Sequence, residues 1–139
     1  MFASGALSYC TSLLPPRTRM SPPVALNPEA LELLQSLEED QPGSLARLIR
    51  LFVADSPALL SRIELAHERR DEEELRNASH YLRSAALALG ADGLANAALQ
   101  VEHLPRAQHG TALAESHLTA LRTGLRDAVL ALLQYTTEL

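Results

Sequence analysis

Apolar residues in this chain return every three or four positions, and the pattern restarts after each break marked by glycine or proline. Leu45, Leu48, Ile49, Phe52, Leu59, Ile63 and Ala66 form one stripe, and Leu75, Ala78, Leu82, Ala86 and Leu89 form the next. Leu94, Ala97, Ala98 and Val101 form a third, and Leu118, Leu121, Leu125, Ala128 and Leu132 a fourth. This period puts each set on one side of a helix and would scatter it over both faces of a strand. The stripes and their short connections imply an all-α fold, an antiparallel four-helix bundle. Leu and Ala dominate the composition and aromatics make up only 4%, which suits helix packing.

The ends of the elements carry their own signals. Asn27, Pro28 and Glu29 read as an N-cap, a first helical residue and a first-turn acid, opening a short leading helix to about residue 39. Gln41-Pro42-Gly43 is a break, after which Ser44 is expected to cap the next helix. Pro57 interrupts that helix without shifting its stripe, so near-continuity is expected. Asp71 with Glu72, Glu73 and Glu74 starts a helix that Gly90 ends. Two more are expected over about residues 91–104 and 111–135, separated by the loop between Pro105 and Gly110.

A chain of 139 residues is enough for one domain, assigned here to residues 25–139. Residues 1–24 hold Pro15-Pro16 and Pro22-Pro23 and lack a helical period, so a flexible leader is expected. The 12 basic residues, all Arg, are outnumbered by 17 acidic ones, and the net charge of −5 argues against a nucleic-acid or membrane-surface binder. A single cysteine, Cys10, precludes a disulfide framework or a Cys-rich zinc site. No apolar run approaches the roughly 20 residues a membrane span needs, and the start lacks the basic region of a signal peptide, so a cytoplasmic protein is expected.

The chemistry must come from side chains pointing away from the stripes. On a wheel of the helix over residues 71–90, His80 lies roughly 150° from the apolar centre, so it is not a core histidine. Arg76, Arg83, Ser84 and Leu87 share its side, and His80, Ser84, Leu87 and Ala91 form a row one turn apart that could receive a protein partner. A neutral imidazole is a nucleophile, and its phosphoryl adduct needs a nearby cation, which Arg83 can supply. Glu102 on the following helix is a candidate acceptor for the second ring nitrogen. His67, His103, His109 and His117 read as structural or solvated, with His103 and His109 flanking a loop.

The run Asn77-Ala78-Ser79-His80-Tyr81-Leu82-Arg83-Ser84-Ala85-Ala86-Leu87-Ala88-Leu89-Gly90-Ala91 resembles the active-site helix of histidine phosphotransfer (HPt) domains. That family's pattern is Ala-X-His-X-Leu-Lys-Gly, then small residues, then Gly-Ala. Leu94, Ala97, Ala98, Val101 and Glu102 fall at the spacings of the family's following helix, while Phe52 and residues 60–66 resemble its preceding one. The resemblance covers residues 27–135, and its specific part is 78–102. Two departures stand out: Arg83 replaces the usual Lys, and Ser84 replaces the usual Gly beside the imidazole.

The resemblance implies a phosphocarrier that takes a phosphoryl group from a receiver aspartate onto His80 and passes it to another receiver, without an ATP-binding or kinase centre of its own. Implied partners are response-regulator receiver domains and hybrid sensor histidine kinases, with no nucleic acid or membrane. No cofactor of its own is implied, since the receiver brings Mg²⁺. One rival is a module of the same fold that docks a receiver without transfer, for which Ser84 is the best support. A second is a metal-binding helical bundle, because Glu64-Leu65-Ala66-His67 has the Glu-X-X-His ligand spacing. Only one copy of that spacing exists, and no metal site is assigned.

Overall fold

The computed structural model describes residues 26–137, and these form five α-helices with no strand among them. They are α1 (Pro28–Asp40), α2 (Ser44–Glu68), α3 (Glu72–Ala88), α4 (Asp92–Glu102) and α5 (Ala112–Thr137), with one 3-10 turn, Arg106–Gln108, between α4 and α5. The leader expected over residues 1–24 lies outside the described residues. No described helix is long and apolar enough to cross a membrane.

α2 packs on α3, α3 on α4, α4 on α5, and α5 returns to α2, while α1 lies on α2. The connections from α2 to α3 and from α3 to α4 are three residues long, so these neighbours run antiparallel. The core is built from the stripes: Leu45, Ile49, Ile63, Leu75, Leu82, Leu94, Leu118, Leu121 and Leu132 are each at most 1% exposed. Burying each such side chain stabilises the fold by about 1.5–3 kcal/mol before the cost of ordering it.

Local chemistry explains the boundaries. Asn27 caps α1, its Oδ1 accepting from the Glu29 and Ala30 amides, and Pro28 opens the helix. Pro57 cannot donate to the carbonyl of Val53, and the Ser56 hydroxyl donates to it instead at 3.3 Å. The orphaned acceptor is satisfied and α2 runs through the proline without a break. Ser44 does not cap α2. Gly43 takes that position with φ +91°, and the Glu38 carboxylate reaches across to accept from the Gly43 and Leu45 amides at 2.8 and 3.1 Å.

α3 ends in a Schellman turn, with the Ala91 amide donating to Ala86 and the Gly90 amide to Leu87. Gly90 sits at φ +79°, and a Cβ there would lie 3.2 Å from both Ala30 Cβ and the Asn27 nitrogen. Only glycine allows the chain entering α1 to bond its Asn27 amide to the Gly90 carbonyl at 2.7 Å.

Three further expectations are corrected. Leu48 is 40% exposed and lies outside the core; Ala97 is half-buried, and Ala95, at 4% exposure, fills the core position. Ala91 is fully buried and is removed from the docking row assigned to it. Its amide closes the Schellman turn, which folds the residue in against Ala86.

Candidate functional site

Asp71 caps α3 by accepting from the Glu74 amide, and three glutamates in the first turn complement the positive helix end. From that start the two faces of α3 diverge. Leu75, Ala78, Leu82 and Ala86 are buried, whereas Arg76, His80, Ser84 and Leu87 are exposed. The His80 side chain retains 56% of its surface.

α4 ends at Glu102, and its packing along α3 sets that carboxylate beside the imidazole, with only 10% of the side chain exposed. Glu102 Oε1 accepts from Arg83 Nε at 2.8 Å, and Oε2 lies 3.2 Å from His80 Nδ1. Arg83 Nη2 lies 2.9 Å from the same Nδ1. Sequence reasoning named these three residues, and the structure brings them into one cluster.

Nδ1 thus faces two groups with opposite demands. Glu102 requires a proton on it, while Arg83 offers one to its lone pair, and a single ring nitrogen cannot satisfy both. The charge on Glu102 decides between them. Burial raises its pKa, but the hydrogen bonds and charges of Arg83 and His80 outweigh burial and hold it below the usual carboxylate range. An ionised Glu102 favours the tautomer with Nδ1–H, leaving the lone pair on Nε2. The lowered pKa means Glu102 contributes stability at neutral pH, which is lost as pH falls through its folded value.

Arg76 is exposed one turn before His80, and Ser84 and Leu87 are exposed in the turns after it, Leu87 by 46%. Beside this row lies an apolar groove that sequence reasoning missed. It is a cavity of about 300 Å³ whose lining includes Leu34, Leu48, Leu51, Phe52, Tyr81 and Ala85. Leu48, Leu51 and Tyr81 are 40%, 53% and 62% exposed. The available signal was the width of the α2 stripe: Leu48, Leu51, Phe52 and Asp55 follow an i, i+3, i+4, i+7 spacing that shares Phe52 with the core and otherwise runs along its edge.

The remaining histidines differ in burial. His103 is exposed, His117 is half-buried, and His67 and His109 are buried at 8% and 1% exposure. The Glu-X-X-His pair is split between two partners. Glu64 pairs with Arg122 at 2.5 Å, and His67 Nε2 accepts from the Gly110 amide at 2.9 Å. Among the described residues, no group of three or more His, Cys, Asp or Glu side chains could hold a metal ion.

A family model described as Hpt domain matches residues 47–135, more than half of the chain. No curated protein and no solved structure matches.

Proposed function

Since the chain belongs to the Hpt domain family, whose members are histidine phosphocarriers of two-component systems working with receiver domains and kinases, we propose that it relays a phosphoryl group between receiver aspartates through Nε2 of His80. The observation that carries this reading is the cluster at Nδ1: an ionised, nearly buried Glu102 anchors one ring nitrogen of a half-exposed imidazole, and the other has no hydrogen-bond partner among the described residues.

The transfer balances without a proton changing hands. The Nε2 lone pair forms the N–P bond as the P–O bond to the receiver aspartate breaks and the carboxylate leaves with its electron pair. The imidazole keeps its Nδ1 proton and becomes cationic, and Glu102 stabilises that charge. Arg83 holds Glu102 through Nε, and once Nδ1 carries its proton the Nη2 donors have no acceptor there and are left for the phosphoryl oxygens. Both Glu102 oxygens are engaged within the site, so Mg²⁺ comes with the receiver in this reading. The Ser84–Leu87 face and the groove beside Tyr81 form the docking surface, and the domain spans residues 25–139 in a cytoplasmic setting.

Incubation with phosphorylated receivers tests the proposal: label should move to the chain and be acid-labile and base-stable. A chain that binds a receiver but takes no label would favour the docking-module reading, which the exposed Ser84 at the usual glycine position supports. Arg83→Ala should slow transfer by about tenfold to a hundredfold, the equivalent of one lost charge-assisted hydrogen bond. It should also raise the Glu102 pKa, since the Arg83 bond and charge hold it down. An unchanged rate, read by the same labelling assay, removes Arg83 from the mechanism and leaves Arg76 as the next cation.

A further inference from the structure

Between the end of α4 at Glu102 and the start of α5, the chain passes through a junction that the phosphocarrier chemistry does not use. His109 is 1% exposed there, and neither of its ring nitrogens has a hydrogen-bond partner among the described residues. Its ring lies against that of His67, with centroids 5.5 Å apart and planes tilted by 47°. His67 sits in the last turn of α2, and its Nε2 accepts the Gly110 amide at 2.9 Å. This bond ties the α4–α5 connection to the end of α2.

Both rings must be neutral for this packing. An accepting Nε2 on His67 has no room for a second proton, so protonation deletes the bond to Gly110. A cationic His109 would be buried, and the Leu104 carbonyl, which forms no hydrogen bond with the ring in this packing, is the acceptor that bears on its charge. The surroundings sharpen the effect. Arg70 from the α2–α3 turn holds the left-handed φ of +55°, rare for a side-chain-bearing residue, and its Nη2 would lie 3.3 Å from a Cβ on Gly110. Glu72 of α3 is the acid that acts on His109 from the other side, and the first turn of α5 carries an exposed Glu115.

We propose that the His67–His109 pair is a proton-sensitive latch on the α4–α5 connection, closed only while both imidazoles are neutral, whose opening loosens the end of α4 that carries Glu102. Burial lowers the pKa of His109, and the Leu104 backbone and the charge of Glu72 oppose this without overcoming it. The stability tied to His109 is therefore complete above the usual imidazole range and is lost as pH falls through that range toward the folded value. The coupling to His80 rests on the phosphocarrier reading, but the latch itself does not.

Hydrogen exchange and imidazole titration by NMR, followed from about pH 7.5 to about pH 5, read the latch with no receiver present. The protection factor of the Gly110 amide should fall by about tenfold or more, while that of Ile49 in the α2 core holds. In the double variant His67→Gln, His109→Phe, which keeps a neutral acceptor and an uncharged ring, Gly110 protection should not respond to pH. Gly110 protection that changes less than about twofold in the unmutated chain overturns the proposal, as does an equal fall in the double variant. If the double variant does not fold, the unmutated titration decides, and a His109 that titrates at or above the usual range sinks the latch. In the receiver assay, the double variant should keep transferring at lower pH than the unmutated chain. Absence of transfer at any pH, with the Gly110 response intact, counts against the phosphocarrier reading and not against the latch.

Discussion

His80→Gln should abolish receiver-to-domain transfer while leaving the helical signal and melting temperature nearly unchanged. The side chain is 56% exposed and packs into no part of the core. Its removal leaves Arg83 bonded to Glu102 through Nε, so no buried charge loses its only partner. Exposed substitutions of this kind shift stability by about 0.5 kcal/mol or less. A glutamine amide, by contrast, has no lone pair basic enough to attack phosphorus, so the loss should be complete, not graded. Labelling followed by acid and base treatment measures the outcome, with His103→Gln and His117→Gln as controls that keep their label. Should His80→Gln still accept phosphate, or should label appear on another histidine, the site assignment is wrong even though the family stands. Where the unmutated chain binds a receiver without taking label, Ser84→Gly distinguishes crowding from incapacity: restored transfer identifies the Ser84 side chain as the obstacle.

Much of this arrangement was legible before any coordinates, because the helical period is a local property. The stripe of α3 fixed both what it buries and what it exposes, and His80 followed from the geometry of one helix. Glu102 could be nominated from family spacing, but its double engagement with Arg83 and His80 depends on how α4 lies along α3, which no single-helix argument contains. The errors share that origin. Leu48 reads as core on a wheel, yet the described residues leave it 40% exposed, because the groove it lines with Leu51 and Tyr81 stays open among them. Ala91 reads as the next step of an exposed row, yet the helix has already ended and the Schellman turn carries the residue inward. Ser44 was a reasonable cap by type and was displaced by Glu38, from the preceding helix, once the turn at Gly43 brought that carboxylate across. The His67–His109 contact joins positions far apart in sequence and carries no periodic signal at all.

The second large effect should appear on the opposite face of the same helix. Leu82→Ala should destabilise the domain by about 2–5 kcal/mol, because Leu82 is fully buried and its removal leaves a cavity that the packed helices refill only in part. For a domain of this size that corresponds to a melting temperature roughly 10–20 °C lower, a large fraction of a stability that is usually about 5–15 kcal/mol. Leu87→Ala, five residues on and 46% exposed, serves as the comparison and should cost far less. Thermal or denaturant unfolding followed by circular dichroism reads both, and a Leu82→Ala loss under about 1 kcal/mol would mean that α3 is not packed through this face. The functional counterpart separates the two roles of the helix. At a temperature where Leu82→Ala remains folded, it should still accept label, because Leu82 lies on the buried face of α3 and the reacting imidazole on the exposed one. Labelling that fails in a demonstrably folded Leu82→Ala domain would show that the rigidity of the buried face, and not only the placement of Glu102 and Arg83, sets the geometry at Nε2.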